Sequence, residues 1–420
     1  AKKFFPPSGK APPREFFTLA QFNTWIELTY DQSQERILDY ARGILDHGFD
    51  PGILMIDDGW QRAYGDWHFR ADRFSDPGSM VAELKRQGFR TMLWVVPFIT
   101  ADTPVFRDLQ ERNLLLRDTT GATAIRNWWN GYSAVLDLTH PDAIAWMRGE
   151  LNRLKRDFGV DGFKFDAGDF TFYRADDLAH GSATPAAQCE AWARLGAEYN
   201  FNEFRACWKM GNQPLVQRLW DKAHSWHENG LAALIPNSIA QGLIGHAFTC
   251  PDMIGGGEFR DFAANADRID QELVVRMAQC SALMPMMQFS AAPWRILDDR
   301  HLACCRAAAA LHARHGPRFW RLARHAARTG EPILRALAYE YPDSGYERIT
   351  DQFMVGSDLL VAPVLQRGAD SRRIVLPPGK WRDDQAVEHL GPKAFETATN
   401  LERLPYFVRQ SPSTARRRKS

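Results

Sequence analysis

The sequence predicts an α/β protein, a (β/α)8 TIM barrel followed by a small C-terminal β-sandwich domain. Over residues 16–328, short apolar runs alternate with amphipathic stretches, which is typical of repeated strand–helix units. Beyond residue 328 the chain changes to β-rich segments separated by Pro and Gly turns, with no long helical pattern. A chain of 420 residues is long enough for one large barrel and a smaller second domain.

The alternating region contains candidate barrel strands at Phe16–Phe22, Ile53–Ile56, Thr91–Val96, Ala134–Leu138, Gly162–Phe165, Phe204–Cys207, His246–Thr249 and Met284–Gln288. Helical patterns lie between them, for example at Ser33–His47 and Asp142–Phe158. Several strands end directly in carboxylates, namely Asp57, Asp58, Asp137, Asp166 and Asp252. In a closed parallel barrel these strand ends meet at one face, where catalytic groups collect.

The chain divides into four parts by composition. Residues 1–15 are rich in Pro and Lys and are predicted to be an extended lead-in, and residues 16–328 form the predicted barrel. Residues 329–410 form the predicted C-terminal β-domain. Residues 411–420 end in a run of basic side chains, which favours a disordered solubilising tail over a nucleic-acid-binding patch.

The composition excludes several classes of protein. A formal net charge of +1 favours neither nucleic acid nor an acidic membrane surface as a partner. No run of eighteen apolar residues predicts a membrane span. The 6 cysteines show no CxxC spacing, which favours buried free thiols over a zinc site or a disulfide framework. The sequence leaves open whether the chain forms a homo-oligomer, and whether it is cytoplasmic or secreted after removal of a signal.

Asp166 is the candidate catalytic nucleophile. Cleavage of a glycosidic bond with retention needs two carboxyl groups about 5–5.5 Å apart, one to attack and one to move protons. Asp166 follows an apolar strand, and Gly168 next to it permits a tight turn. Lys164, two residues earlier, points to the same side of the strand, and its charge would keep Asp166 ionised. A structural ion pair between Lys164 and Asp166 is the alternative interpretation.

Asp57 and Asp58, followed by Gly59 and Trp60, form a second candidate constellation. Two adjacent acids at a strand end can accept hydrogen bonds from sugar hydroxyls, while Trp60 supplies a ring wall. Two alternatives remain open from the residues alone. Paired acids also bind divalent metal ions, and an acidic turn can simply cap the next helix.

The third candidate region begins at Arg205, which would hold a hydroxyl or a carboxylate by bidentate hydrogen bonds. Asp221 is the candidate acid/base, because burial beside Trp220 would raise the pKa of Asp221. The alternative is a surface helix carboxylate paired with Lys222 or Arg218. Further candidates in the chain are Asp169, Glu228 and Asp252.

Taken together, these segments resemble glycoside hydrolase family 31, a family of retaining α-glycosidases. The resemblance rests on five motifs in the family's order, spanning roughly residues 16–410, at Ile56–Trp60, Leu93–Phe98, Asp161–Asp166, Pro251–Gly256 and Asp358–Pro363. It implies that Asp166 is the nucleophile and that Asp252 is a residue of the substrate pocket. Members of the family place the acid/base sixteen residues after an Arg, with an aromatic residue five beyond, which Arg205, Asp221 and Trp226 satisfy.

The sequence departs from the family pattern at three places. A second Asp often stands two positions after the acid, and here that position is Ala223, so a sugar-binding pseudoenzyme or an inactive variant is an alternative. The family carries a β-sandwich domain before the barrel, where this sequence has a fifteen-residue lead-in. The pocket His of α-glucosidases is absent near Ser290, which argues against glucose as the substrate sugar.

The sequence looks closest to the branch with bacterial α-galactosidases and the myogenesis-regulating glycosidase, on segments such as Trp128–Gly131 and Phe165–Asp169. The resemblance therefore implies an exo-acting α-galactosidase that acts on a small-molecule or oligosaccharide α-glycoside by double displacement and needs no metal or organic cofactor. The expected sugar-binding residues are Trp25, Asp57, Asp58, Trp60, Trp94, Lys164, Arg205 and Asp252. A metal-dependent hydrolase built on the paired acids is a further alternative, and chelators would inhibit it.

Overall fold

The structure is a computed structural model that describes residues 3–264 and 266–410. The strands, in chain order, are β1 Gln21–Asn23, β2 Ile53–Ile56, β3 Gln61–Ala63, β4 Asp66–Phe69, β5 Arg90–Val95, β6 Phe98–Thr100, β7 Ile125–Trp128, β8 Gly131–Val135, β9 Gly162–Phe165, β10 Phe201–Phe204, β11 Val216–Arg218, β12 Thr249–Cys250, β13 Met253–Ile254, β14 Gln288–Phe289, β15 Leu334–Arg335, β16 Phe353–Val355, β17 Leu359–Val361, β18 Ser371–Asp383, β19 Glu388–Ala398 and β20 Tyr406–Arg409. The helices are α1 Glu15–Thr18, α2 Trp25–Leu28, α3 Gln34–Asp46, α4 Pro77–Arg86, α5 Pro104–Glu111, α6 Pro141–Phe158, α7 Pro185–Gly196, α8 Leu234–Leu243, α9 Phe259–Ala264, α10 Gln271–Ala282, α11 Pro293–Ile296, α12 Asp299–Thr329 and α13 Leu337–Glu340.

A parallel sheet in the order β12-β11-β10-β9-β5-β2-β1-β14-β13 forms the core of the molecule. Its two end strands, β12 and β13, are separated in the chain only by Pro251 and Asp252. One extended segment therefore pairs with β11 through its first half and with β14 through its second half. This segment closes the sheet into the (β/α)8 barrel that the sequence predicts.

The strand prediction is right at the centre of the barrel and wrong at its start. β2 and β9 have the predicted bounds, and β5 begins one residue earlier than predicted. The predicted strand Phe16–Phe22 is instead the short helix α1 followed by β1. Phe16 and Phe17 are fully buried, packing against Phe201 and Phe248. A short apolar run of this kind does not distinguish a strand from a buried helix.

Four further strand predictions differ from the structure. Those at His246–Thr249 and Met284–Gln288 overlap β12 and β14 by one residue each. Of the predicted strand Ala134–Leu138, Ala134 and Val135 belong to β8, which lies in a three-stranded antiparallel sheet with β6 and β7 outside the barrel. The strand predicted at Phe204–Cys207 is β10, three residues earlier, so Arg205 follows the strand and lies at its carboxyl end. β11, the next barrel strand, escapes the sequence pattern because it has only three residues.

The C-terminal part of the chain forms a second sheet, which is antiparallel, in the order β15-β16-β17-β20-β18-β19. Helix α12 ends at Thr329, and β15 begins at Leu334. The long strands β18 and β19 pair over most of their length, with an irregularity between Leu376 and Gly379. A separate hydrophobic core, which includes the fully buried Trp381 and Phe407, stabilises this domain.

The beginning of the described chain lies against the barrel. The backbone amide of Ser8 donates to the carbonyl oxygen of Asn212, and that of Gly9 donates to Ala327. The predicted basic tail at 411–420 lies outside the described residues. Within the described part of the chain, no helix is both long enough and apolar enough to cross a membrane.

Candidate active site

A cavity of about 790 Å³ opens among residues that follow the carboxyl ends of the barrel strands. Carboxylates, cationic side chains and aromatic rings line it, namely Trp25, Tyr30, Asp57, Asp58, Trp94, Asn127, Trp128, Trp129, Gly131, Lys164, Asp166, Arg205, Arg218, Trp220, Asp221, Met253, Glu258, Phe259 and Arg260. This mixture of flat apolar rings and charged hydrogen-bonding groups suits a ligand with an apolar face and many hydroxyls.

Asp166 lies immediately after β9, and its carboxylate is held rigidly. Trp94 Nε1 donates to its Oδ2 at 2.8 Å, and the backbone amide of Ala167 donates to Oδ1 at 2.8 Å. The chain turns sharply behind it, with a φ of 74° at Gly168. A Cβ at Gly168 would lie 2.3 Å from the ring of Trp192, so only glycine fits this turn.

The charges around Asp166 keep its carboxylate ionised. Burial alone would raise its pKa, but the positive charges of Arg205, Lys164 and Arg218 outweigh burial and lower the pKa well below its ordinary value. The Nε of Arg205 lies 3.6 Å from Asp166 Oδ1. An ionised, desolvated carboxylate with fixed orientation is suited to act as a nucleophile.

Lys164 pairs with Asp57 and acts on Asp166 from a distance. Its Nζ donates to Asp57 Oδ2 at 2.6 Å, and both side chains are almost completely buried. Burial alone would lower the pKa of Lys164, but the carboxylates of Asp57 and Asp166 raise it above its ordinary value. The direct Lys164–Asp166 pair considered from the sequence is replaced by a Lys164–Asp57 pair, which spans β9 and the end of β2.

Asp58 is held by three side-chain donors. Its Oδ1 accepts a hydrogen bond from Gln61, and its Oδ2 accepts from Tyr64 and from Asn130. Burial raises the pKa of Asp58 to about 6, and the neighbouring charge of Asp57 adds to the effect. Because amide, hydroxyl and ammonium groups already donate to the two acids, the arrangement favours recognition of sugar hydroxyls over binding of a metal ion.

Arg205 lies between the nucleophile and the outer part of the cavity. It forms an ion pair with Asp169 and approaches Asp166. The carbon of its guanidinium lies 4.5 Å from the ring centre of Trp129 and 4.5 Å from that of Trp220. Cation–π contacts with both indoles fix the orientation of this side chain.

Asp221 lies in the loop after β11 and is tied to Arg218. Arg218 Nη1 donates to Asp221 Oδ1 at 2.7 Å and also to Asp252 Oδ1 at 2.5 Å. The side chain of Asp221 is 23% exposed, while that of Arg218 is 2% exposed. The surface helix considered from the sequence is therefore wrong for Asp221, although its pairing with Arg218 is present. The indole of Trp220, expected to bury Asp221, lies over Arg205 and is itself 57% exposed.

Two expected pocket residues do not reach the cavity. Trp60 is fully buried, and its Nε1 donates to the carbonyl oxygen of Trp94 at 2.9 Å. The turn at Gly59, with a φ of 101°, directs Trp60 behind the wall onto the ring of Trp67. Trp25 and Trp94, the other two aromatic residues expected in the pocket, both line the cavity.

Asp252 is the second correction. Its carboxylate is completely buried, and it accepts hydrogen bonds from Arg218 and from the backbone amide of Lys222. Burial raises the pKa of Asp252 to about 6, against the lowering effect of Arg218. Asp252 therefore orients Arg218 and the Asp221 loop, and does not itself line the cavity as a sugar ligand.

Ala223 and Trp226 follow Asp221 on the same loop. The backbone amide of Ala223 donates to Asn229, and Ala223 is not among the cavity-lining residues. Trp226 Nε1 donates to Asp270 Oδ2 at 2.8 Å, which braces the loop from outside the cavity. Asp221 carries a carboxylate and lines the cavity, whereas Ala223 does neither.

Several cavity-lining residues were missed by the sequence reasoning, among them Arg218, Tyr30 and Arg260. Arg218 was considered only as a partner of Asp221, because its strand is too short to show a pattern. Tyr30 lines the cavity and donates to Asn130, which in turn donates to Asp58. Arg260 lies on the six-residue helix α9, which is too short to show a helical pattern in the sequence. Asn130, the partner of Tyr30, belongs to the segment Trp128–Gly131 that the sequence analysis had singled out.

Several curated relatives match most of the chain. The myogenesis-regulating glycosidase of Mus musculus is 36% identical over 393 residues, which cover 91% of this chain and 54% of that protein. The sulfoquinovosidase of Escherichia coli K12 is 23% identical, covering 79% of this chain and 51% of its own length. An alpha-xylosidase of Lactiplantibacillus pentosus is 26% identical, covering 95% of this chain and 54% of its own length. The chain spans about half the length of the curated relatives it matches.

The fold agrees with that of solved glycosidase structures. A Flavobacterium johnsoniae dextranase complexed with glucose aligns with a TM-score of 0.84 at 23% identity, covering 96% of this chain and 52% of that one. A sulfoquinovosidase from E. rectale aligns with a TM-score of 0.85 at 19% identity, covering 98% of this chain and 64% of that one.

Family models match both parts of the chain. The glycosyl hydrolases family 31 TIM-barrel domain matches residues 10–317, and the glycosyl hydrolase family 31 C-terminal domain matches residues 330–411. The first model alone covers well over half of the sequence, and the two matches follow the order of the barrel and the antiparallel sheet. The resemblance recognised in the five motifs is confirmed, and the chain belongs to glycoside hydrolase family 31.

Proposed function

We propose that this protein is a retaining, exo-acting α-glycoside hydrolase that removes terminal α-galactosyl units, with Asp166 as the nucleophile and Asp221 as the acid/base. The observation that carries the proposal is the contrast between two carboxylates lining one cavity. Asp166 is buried among cations that lower its pKa, whereas Asp221 is partly exposed on a loop. A double displacement needs one carboxylate that is always ionised and one that exchanges protons.

In the first step, Asp166 attacks the anomeric carbon and the bond to the aglycone oxygen breaks. Asp221 gives its proton to that oxygen, so the aglycone leaves as an alcohol and the sugar is bound to Asp166 as an ester. Arg218 occupies Oδ1 of Asp221, which leaves Oδ2 to carry the proton. In the second step, Asp221 takes a proton from water, and the oxygen of that water displaces Asp166. Two inversions return the α configuration.

The galactosyl preference rests on the paired acids at the end of β2. An axial 4-hydroxyl projects to one side of the sugar ring and needs an acceptor there. Asp58 has a carboxylate that lines the cavity and is fixed by Gln61, Tyr64 and Asn130. A rigid acceptor discriminates between axial and equatorial hydroxyls, because the wrong isomer leaves a buried polar group unpaired.

A panel of aryl α-glycosides tests the proposal. The relatives named above include sulfoquinovosidase and xylosidase, so the panel contains the α-galactoside, α-glucoside, α-xyloside and α-sulfoquinovoside of one phenol. We expect the highest kcat/KM for the galactoside, with the proton NMR spectrum of the first product showing the α anomer. A β anomer as first product would overturn retention, and a faster reaction with another sugar would overturn the galactosyl assignment alone.

A further inference from the structure

Trp220 is an exposed aromatic ring next to the proposed proton donor. One face of its indole is covered by the guanidinium of Arg205, whose central carbon lies 4.5 Å from the ring centre. Its side chain is nevertheless 57% exposed, and it lines the cavity. The exposed area therefore belongs to the opposite face and the edges of the ring. An indole with one face on a buried cation and the other open is a preformed surface for stacking.

The position of Trp220 in the chain relates this surface to the bond that breaks. Trp220 directly precedes Asp221, and the backbone of both residues lies in the loop after β11. In the mechanism proposed above, Asp221 protonates the glycosidic oxygen, which is the first atom of the aglycone. The aglycone then extends from Asp221 toward the open side of the cavity, away from the buried Asp166.

We infer that Trp220 is the platform on which the leaving aglycone stacks, and that this aglycone is a second pyranose ring. The inference rests on the proposed function, because it takes the position of the aglycone from the role of Asp221. A pyranose presents a flat face of C–H groups to an indole while its hydroxyls remain in water. The substrate class that follows is an α-linked disaccharide or oligosaccharide.

Arg205 and Trp129 keep this platform in place. The Arg205 side chain is 7% exposed and is bound by Asp169, so it moves little. Trp129 also contacts the guanidinium, and its own ring packs edge-on against Trp128 and Phe172. Because the stacking surface is ordered before the substrate arrives, little conformational entropy is lost when the aglycone binds.

The experiment compares Trp220→Ala with the wild type on two substrates of the same sugar. One is an α-galactosyl-glucose disaccharide, and the other is α-galactosyl fluoride, whose leaving group has no ring to stack. We expect kcat/KM for the disaccharide to fall by about 10- to 100-fold, as for the loss of one aromatic stacking contact. The fluoride should lose at most about threefold. Trp220→Phe keeps a ring and should retain most of the disaccharide activity.

Matched variants and substrates make each outcome decisive. Trp208 is 55% exposed and does not line the cavity, so Trp208→Ala should behave as wild type on both substrates. An equal loss on disaccharide and fluoride would mean that Trp220 acts through Arg205 on the sugar subsite, which overturns the platform. No loss on either substrate overturns it as well. An aryl α-galactoside serves as a third substrate. A loss with this substrate but not with the disaccharide would overturn the pyranose assignment and identify an aromatic aglycone.

The platform and the proposed function fail in different ways. If the wild-type chain does not hydrolyse the fluoride, the proposed function is wrong, whatever the variants do. Calorimetric titration then still decides the platform. Trp220→Ala should weaken binding of the disaccharide by about 10-fold or more and leave binding of free galactose within about threefold. Equal weakening for both sugars would overturn the inference.

Discussion

The two carboxylates of the candidate site differ in how the fold holds them. Asp166 follows a barrel strand, is bonded by an indole and a backbone amide, and is surrounded by buried cations. Asp221 lies on a loop, makes one ion pair with Arg218, and keeps 23% of its side chain exposed. The first environment fixes both charge and direction, whereas the second leaves the carboxylate in contact with solvent.

In the proposed mechanism, the two chemical roles therefore come from two kinds of structure, a barrel strand and a loop. A nucleophile benefits from rigid placement and desolvation, because its charge must face the anomeric carbon in every turnover. A proton donor that later activates water needs access to that water. Asp166, directly after β9, has the rigid and desolvated position, and Asp221, in the loop after β11, has the access to water.

Removing the proposed nucleophile should have the largest effect on activity. Asp166→Asn removes the attacking oxygen anion, and we expect kcat on an aryl α-galactoside to fall by about 10⁴-fold or more. The glycosyl fluoride should be equally affected, since it also needs the nucleophile. A circular dichroism spectrum like that of the wild type checks the fold. Activity within tenfold of wild type would refute the assignment of Asp166.

Loss of the acid/base should depend on the leaving group. Asp221→Asn should lower kcat/KM on ordinary α-glycosides by about 10²- to 10⁴-fold. The fluoride should retain most of its rate, because it needs little protonation on departure. Ala223→Asp is the matched control and should give no gain. A gain in that variant, together with normal activity in Asp221→Asn, would move the acid to position 223.

Breaking the buried ion pair between Lys164 and Asp57 should destabilise the protein. Lys164→Met leaves the buried carboxylate of Asp57 without a countercharge, and we expect the free energy of unfolding to fall by about 3–5 kcal/mol. The exposed pair Arg148–Glu198 offers the control, because Arg148→Met should cost less than about 1 kcal/mol. Urea unfolding of the two variants measures both values. Equal losses would contradict the distinction between buried and exposed pairs.

The smallest expected effect is a pH dependence of substrate binding. The pKa of Asp58 is raised to about 6, so this carboxylate loses its charge as the pH falls through 6. If ionised Asp58 accepts the sugar hydroxyl, kcat/KM falls by up to tenfold for each pH unit below about 6. For stability the sign is opposite. The contribution of Asp58 is complete below its unfolded pKa near 3.8 and is lost as the pH rises through 6.

The variant Asp58→Asn assigns this limb of the pH profile. The variant should be slower at neutral pH but should lack the decline below pH 6. Asp252 is the control, because burial raises its pKa to about 6 as well. If the decline in kcat/KM below pH 6 persists in Asp58→Asn and disappears in Asp252→Asn, the pH acts through Arg218 and the loop that carries Asp221.

The sequence predicted the site residues best where they lie in a barrel strand or directly after one. Asp57, Lys164 and Asp166 follow or lie in strands with unbroken apolar patterns, so both their strands and their common face could be predicted. Arg205 was singled out at an apolar strand, although that strand was placed three residues too late. Periodicity locates a residue along the chain, and only the closed barrel brings the strand ends to one cavity.

The two errors in the pocket, at Trp60 and Asp252, have a common physical cause, which is the direction of the backbone after a strand ends. At Gly59 a φ of 101° turns Trp60 away from the cavity. At Asp252 a φ of 90° points the carboxylate toward Arg218 and Lys222. Side-chain alternation holds only within a strand. The sequence therefore predicted which residues lie near the site but not which way these two face.

The interrupted strand that closes the barrel has a consequence for heat inactivation. The segment Thr249–Ile254 joins the two ends of the sheet, and Asp252 at its interruption also anchors Arg218 and the backbone of Lys222. Loosening of this segment on warming would therefore release Arg218 and the Asp221 loop together, while Asp166 stays on β9. If the proposed roles hold, the proton donor would be disturbed before the nucleophile, and a partly warmed sample should still consume glycosyl fluoride after it has stopped cleaving ordinary glycosides.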